Sequence, residues 1–187
     1  MTLELNNVLI EGETRPLSLM AHTGKMTCMT GGSCERRTRW LLAMMGFLPV
    51  QEGFICIDGE PLNVRTTPDF RSLMAYAPAQ LGVASEVYRY EPPSVQDVFR
   101  LKANRKLPIS NGLLGEEVRR IDAQGDRDRV QLIAVATLLE KPIMLIDSPI
   151  PTAASYLQQQ ARKGKVVLVA SGDREILAAS DNIVELI

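Results

Sequence analysis

The chain has 187 residues, 45% of them apolar and 23% charged, which suits one soluble globular domain with at most a small extra lobe. Basic and acidic residues nearly cancel (21 against 22, net −1), so composition gives no reason to expect nucleic acid or an anionic membrane surface as a partner. The longest apolar run, "LIAVATLL" (132–139), falls well short of the ~18 residues of a membrane-spanning helix, and the start, "MTLELNNVLI", has no basic stretch before an apolar core, so no secretory signal is expected.

The opening reads as strands: "LELNNVLI" (3–10), "PLSLMA" (16–21) and, after the turn "HTGK", "MTCMT" (26–30). A loop follows, and "RRTRWLLAMM" (36–45) reads as a helix stopped by Gly46. "GFICID" (53–58) alternates like a strand and ends at the turn Asp58-Gly59; "SLMAYA" (72–77) is a further strand closed by Pro78. From Pro78 to Gln124 the chain is rich in Pro, Gly and charge, with weak helical patches near 94–102 and 114–121, and reads as a small peripheral lobe. The core resumes with a long helix, "DRVQLIAVATLLE" (128–140). Then come the buried strand "PIMLID" (142–147), the helix "YLQQQARKG" (156–164), the buried strand "KVVLVAS" (165–171) and a last strand, "NIVELI" (182–187). Continuous apolar strands alternating with helices predict a parallel sheet covered on both faces.

The three cysteines are odd in number and lack zinc-ligand spacing, so reduced thiols are expected. Cys28 and Cys56 lie in apolar runs and read as packing residues; Cys34 reads as a small loop residue rather than a reactive one. His22 reads as exposed, and Trp40, Met44 and Met45 follow helical spacing toward the core.

"GGSCERRTRW" (31–40) carries the chemistry. A phosphate loop reads G-x-x-x-x-G-K-[S/T] between a buried strand and a helix, because backbone N–H groups and the helix dipole converge there on an anion. Gly31 and Thr38 match that pattern; Arg36 stands where the second Gly belongs and Arg37 where the Lys belongs. Gly31, Gly32, Ser33, Cys34, Arg36, Arg37 and Thr38 are therefore the candidate phosphate-binding residues. Arg36 and Arg37 also read as solvated helix-start residues, and Thr38 as a helix cap in place of a Mg²⁺ ligand. Asp147 ends a buried strand at its carboxyl end, where sites of α/β proteins gather.

Six segments in order resemble the nucleotide-binding domain of ATP-binding cassette (ABC) transporters over nearly the whole length. "PLSLMAHTGKMTCMTGGSCERRTRWLLAMMG" resembles that family's opening strands, phosphate loop and first helix. "EGFICIDGEPL" resembles its strand and turn, "RSLMAYAPAQ" the strand before its glutamine loop, and "DAQGDRDRVQLIAVATLLEKPIMLIDSPIPT" its signature segment running through the Walker B strand. "GKVVLVASGD" resembles the strand leading to the switch histidine, and "ASDNIVELI" the closing strand. The resemblance implies a P-loop NTPase-like α/β fold: a mostly parallel sheet flanked by helices, an N-terminal antiparallel β portion, a core over 1–77 and 125–187, and a reduced helical lobe over about 78–124. It implies ATP and Mg²⁺ as ligands, with Thr38, Asp147 and Gln80 as metal ligands, although Gln80 also reads as an ordinary loop residue. As partners it implies a membrane-spanning transporter subunit, a second ABC ATPase subunit or a second copy of the chain, and no nucleic acid. As location it implies the cytoplasm, at the inner face of the membrane through a partner.

The departures from the family's pattern fall where hydrolysis takes place. Ser148 replaces the general-base Glu after the Walker B Asp, and Gly172 falls at the switch His. The signature Leu-Ser-Gly-Gly-Gln maps onto Asp122-Ala123-Gln124-Gly125-Asp126, whose two carboxylates repel an anion. No aromatic occurs near Glu11, where one would stack on adenine, and Ala79 holds the expected place of the glutamine. No catalytic residue is assigned. The segments before the signature and between Thr152 and Lys165 look trimmed, and "RLKANRK" (100–106) reads either as a solvated face or as a docking surface. Three functions remain open: a degenerate ATPase subunit of a transporter, a working ATPase using Arg37 for phosphate, and a nucleotide-independent interaction module.

Overall fold

The computed structural model describes residues 1–79, 111–122 and 127–187. Gln80, the helical patch at 94–102, the basic patch at 100–106 and signature positions 123–126 lie outside the described residues.

β1 (Thr2–Ile10), β2 (Leu17–His22), β4 (Val50–Ile57) and β5 (Glu60–Pro61) form an antiparallel sheet in the order β2-β1-β4-β5. β1 buries Leu3, Leu5, Val8 and Ile10. The step of three from Leu5 to Val8 breaks a period of two, and the pairing shifts register there with both neighbours. Asn7, at φ 47, makes the bulge, and Gly53 on β4 accommodates it: a Cβ on Gly53 would lie 2.2 Å from the Asn7 carbonyl oxygen. The bulge returns Val8 and Ile10 to the core face that a one-residue slip would otherwise have taken from them.

The second sheet is wholly parallel, as the sequence predicts: β6 (Met74–Ala77), β7 (Ile143–Asp147), β8 (Val166–Ala170), β3 (Met26–Thr30) and β9 (Asn182–Glu185), in the order β6-β7-β8-β3-β9. Every residue of β7 and β8 is buried, so the two faces fill different cores. Ile143 and Leu145 join the antiparallel sheet and α1 (Cys34–Met44); Met144 and Ile146 join the helices on the other side. Trp40, Met44 and Met45 are buried in the first core; Cys28 and Cys56 are buried and His22 exposed. Burial pushes the Cys28 thiol up to about 11, as befits a packing residue.

Two short helices went unmarked by the apolar pattern. α2 (Thr67–Leu73) takes Ser72 and Leu73, which the pattern assigns to a strand; the strand starts only at Met74. Pro68 in its first turn and the Asn63–Thr66 hydrogen bonds ahead of it start the helix. On the other face, α3 (Asn111–Ile121) covers the predicted patch at 114–121 and packs on α4 (Arg127–Leu138). α5 (Ala154–Arg162) follows β7, and α6 (Arg174–Ala179), the second unmarked helix, is capped by Asp173. Among the described residues no helix is long and apolar enough to cross a membrane.

Candidate functional site

The loop after β3 turns through two left-handed residues, Gly31 (φ 81) and Gly32 (φ 61). A Cβ on Gly31 would come within 2.7 Å of the Leu186 carbonyl oxygen, so glycine is required there by space as well as by φ. Ser33 then takes extended backbone as the N-cap of α1, its Oγ accepting the Arg36 N–H at 3.1 Å. The helix thus starts at Cys34, two residues before the apolar pattern shows it. Strand, glycine bend and helix N-terminus follow one another at the carboxyl edge of the parallel sheet, an arrangement that presents backbone N–H groups to an anion.

The arginines of this segment are held in different ways. Arg36 pairs with Glu13, its Nε donating to both carboxylate oxygens at 3.0 and 2.9 Å and its Nη2 to one at 2.6 Å. It also donates to the carbonyls of Leu186 and Ile187. It therefore ties α1 to the β1–β2 turn and to the end of the chain. Arg37 folds over the loop itself, its Nη1 donating to the Gly31 and Gly32 carbonyls at 3.1 and 2.9 Å, with Nε buried and unpaired. Arg39 donates to the Glu11 carbonyl and lies against Gly12, in the turn where the family resemblance places an aromatic.

Thr38 and Asp147, 109 residues apart in sequence, meet beneath the loop. The Thr38 hydroxyl donates to Asp147 Oδ2 at 2.5 Å, and the two residues are 3% and 2% exposed. Ser148 Oγ donates to the other carboxylate oxygen at 3.1 Å, and the Tyr76 hydroxyl reaches Oδ2 at 3.4 Å. Burial pushes the Asp147 carboxyl above its ordinary value, against the pull of those hydroxyls and of the Arg37 charge. Cys34, exposed at the first turn of α1, sets its Sγ 2.9 Å from Ser148 Oγ. Gly172 faces the same centre: a Cβ there would lie 3.9 Å from Arg37 Nη1.

Gly31, Gly32, Ser33, Cys34, Arg37, Thr38 and Asp147 thus converge with Ser148 and Gly172, while the Arg36 guanidinium is spent on Glu13. Asp122 accepts a hydrogen bond from Thr152, and the Ala79 carbonyl one from Arg129. Thr38 and Asp147 offer a hydroxyl and a carboxylate, the hard oxygen donors that Mg²⁺ takes. Among the described residues no group of three or more His, Cys, Asp or Glu gathers as a metal cluster. Sequence reasoning missed Glu13, Arg39 and Tyr76. Glu13 is bound to the segment across 23 residues, and Arg39, inside it, reaches back 28 residues to Glu11; no local pattern reports such pairing.

No family model matches the sequence. Solved structures match its shape over essentially the whole chain. One, an ATP-binding subunit of an ABC transporter, is 20% identical with a TM-score of 0.72, the match covering 100% of this chain and 86% of that one. Another, cbiO1 from Clostridium perfringens, part of the ABC transporter complex cbiONQ, is 14% identical with a TM-score of 0.69, covering 98% and 83%. A nucleotide-free ATP-binding cassette from an ABC transporter is 16% identical with a TM-score of 0.68, covering 100% and 88%. Strand order, loop position and these likenesses agree: the chain has the fold of the ATP-binding subunits of ABC transporters.

Proposed function

We propose that the chain is an ABC-type ATP-binding subunit whose hydrolytic chemistry has been given up. It acts as a structural or regulatory half in a transporter complex, beside a membrane-spanning subunit and a second ATP-binding subunit or copy of itself, at the cytoplasmic face of the membrane. The observation that carries this reading is the pair Ser148 and Gly172 beside the glycine loop, Thr38 and Asp147. The Ser148 hydroxyl, turned onto Asp147, cannot take a proton from water near neutral pH as a carboxylate does, a role worth roughly 10²–10⁴-fold in rate. Gly172 has no side chain to touch a phosphate. The bend of Gly31 and Gly32, the N-terminus of α1 and the Arg37 charge support weak binding of a nucleotide phosphate. Thr38 and Asp147 would hold Mg²⁺, which when bound neutralises phosphate charge.

A second reading has its own support. Arg37 sits on the loop carbonyls and Arg39 on the β1–β2 turn, so the chain's own cations fill the ground a nucleotide would take. On that reading the fold is an interaction module. Thermal unfolding with and without millimolar Mg-ATP separates the two, because a ligand at 100 times its Kd stabilises by about 2.7 kcal/mol. A rise in Tm with no phosphate release above background is expected, and Arg37→Ala should abolish it. No rise selects the interaction module; a rise with phosphate release identifies a working ATPase and overturns the proposal.

A further inference from the structure

The amino edge of the parallel sheet, opposite the glycine loop, holds a cleft of about 380 Å³ lined mainly by charged and polar residues. Its walls come from α3, the end of α4, the end of α5 and the residue that enters β8. Lys165 stands five residues before Ala170, the β8 partner of Asp147, so β8 separates this cleft from the loop by roughly 17 Å.

Three groups in the cleft have bonding capacity that the fold leaves unused. Gln160 is 2% exposed and lines the cleft, yet no hydrogen bond joins its amide to the described residues. The amide is not among the fully inaccessible unpaired groups of the described residues, which are Thr27 Oγ1, Arg37 Nε and Trp40 Nε1, so it meets solvent through the cleft and is open to a ligand there. Lys165 is half-buried and has one acceptor, the Thr137 carbonyl at 3.3 Å. Burial holds its ammonium below the usual lysine range. Glu140, which attracts Lys165 electrostatically, is exposed beside it. By contrast Glu117 is already engaged, taking the Tyr156 hydroxyl and Arg120 Nη1 at 3.0 Å.

The signs of these charges define what fits. The lining carries three cations (Arg120, Lys163, Lys165) and two carboxylates (Glu117, Glu140), one positive charge in excess. A simple anion would lie against Glu140 unpaired, and a simple cation against the lysines. A ligand with carboxylates for Lys163 and Lys165, an ammonium for Glu140, and both a donor and an acceptor for the Gln160 amide would satisfy every open group. We propose that this cleft is a binding site for a small acidic α-amino acid, formed where α3 meets the core and remote from the glycine loop.

The test compares L-aspartate with succinate, which has the same two carboxylates and lacks the ammonium, by ¹⁵N NMR titration of the full chain at constant ionic strength. L-aspartate should shift the Gln160 side-chain amide pair saturably, with half-saturation near ~1 mM. Succinate should bind at least about fivefold more weakly, the loss of one surface ion pair. Glu140→Gln should erase that difference, and Lys165→Gln should weaken L-aspartate at least about tenfold. Gln160→Leu assigns the amide pair by its disappearance. It should also fold at least as stably as the parent while losing the rise in Tm that L-aspartate gives. Gln160 resonances unmoved by L-aspartate, equal binding of succinate, or an undiminished rise in Tm in Gln160→Leu would each overturn the proposal.

Discussion

Asp147 shows how one residue carries both the fold and the site. It ends a strand buried at every position, and three hydroxyls from three parts of the chain (Thr38, Tyr76 and Ser148) point at its carboxylate. Those donors favour the ionised form, but burial outweighs them and the pKa rises. The sign for stability follows. A folded-state pKa above the unfolded value means that the native chain holds the proton more tightly. That contribution is complete below the ordinary carboxylate value of about 4 and is lost as pH rises through the folded value. Asp147→Asn removes the titration. Urea midpoints from pH 4 to 7 should show the parent losing stability relative to Asp147→Asn as pH rises. Parallel curves would mean that the hydroxyls, not burial, set the balance at this carboxylate.

The elements meet through side chains that bridge long stretches of sequence, and the arginine–glutamate pair is the clearest case. Glu13 is 3% exposed at its side chain and Arg36 28%, and among the described residues Arg36 is the only cation bonded to this nearly buried carboxylate, a pairing that joins α1 to the β1–β2 turn. Removing Arg36 strands that charge, and Arg36→Ala should cost about 3 kcal/mol in chemical denaturation. Arg36→Ala with Glu13→Gln should recover much of the loss, because the stranded charge is gone; a double variant no better than the single one would place the cost in packing. This pair also marks the limit of what the sequence discloses. Long or largely apolar elements such as β7, β8 and α4 are legible because burial writes itself locally in runs of apolar residues. α2 and α6, of seven and six residues, are too short for that period to register, and their signals are Pro68 and the cap Asp173. The glycine loop, Thr38 and Asp147 are legible as a motif. The role of Arg36 is not, since it depends on a turn 23 residues away, and a guanidinium aimed at phosphate reads in sequence like one aimed at Glu13.

At the scale of the molecule, α1 holds the two sheets in one core. Its buried face, including Trp40, Leu41 and Met44, packs with Leu3 and Leu5 of the antiparallel sheet and with Leu145 and Leu168 of the parallel one. Neither sheet can expose its share without opening the other's, so the antiparallel portion is no separate folding unit, although it forms its own hydrogen-bonded sheet. Leu5→Ala and Leu168→Ala, one in each sheet and both essentially inaccessible to solvent, should each cost about 2–5 kcal/mol. Both should lower the same transition. Trp40, the only tryptophan, is 1% exposed at the junction and reports on it by fluorescence, while far-UV circular dichroism reports on both sheets and the helices. The two probes should give coincident urea midpoints in the parent and in each variant, as a two-state transition requires. If Leu5→Ala instead moved an early circular-dichroism phase and left the Trp40 midpoint in place, the antiparallel sheet would be melting on its own. The glycine loop would then depend on the parallel sheet alone.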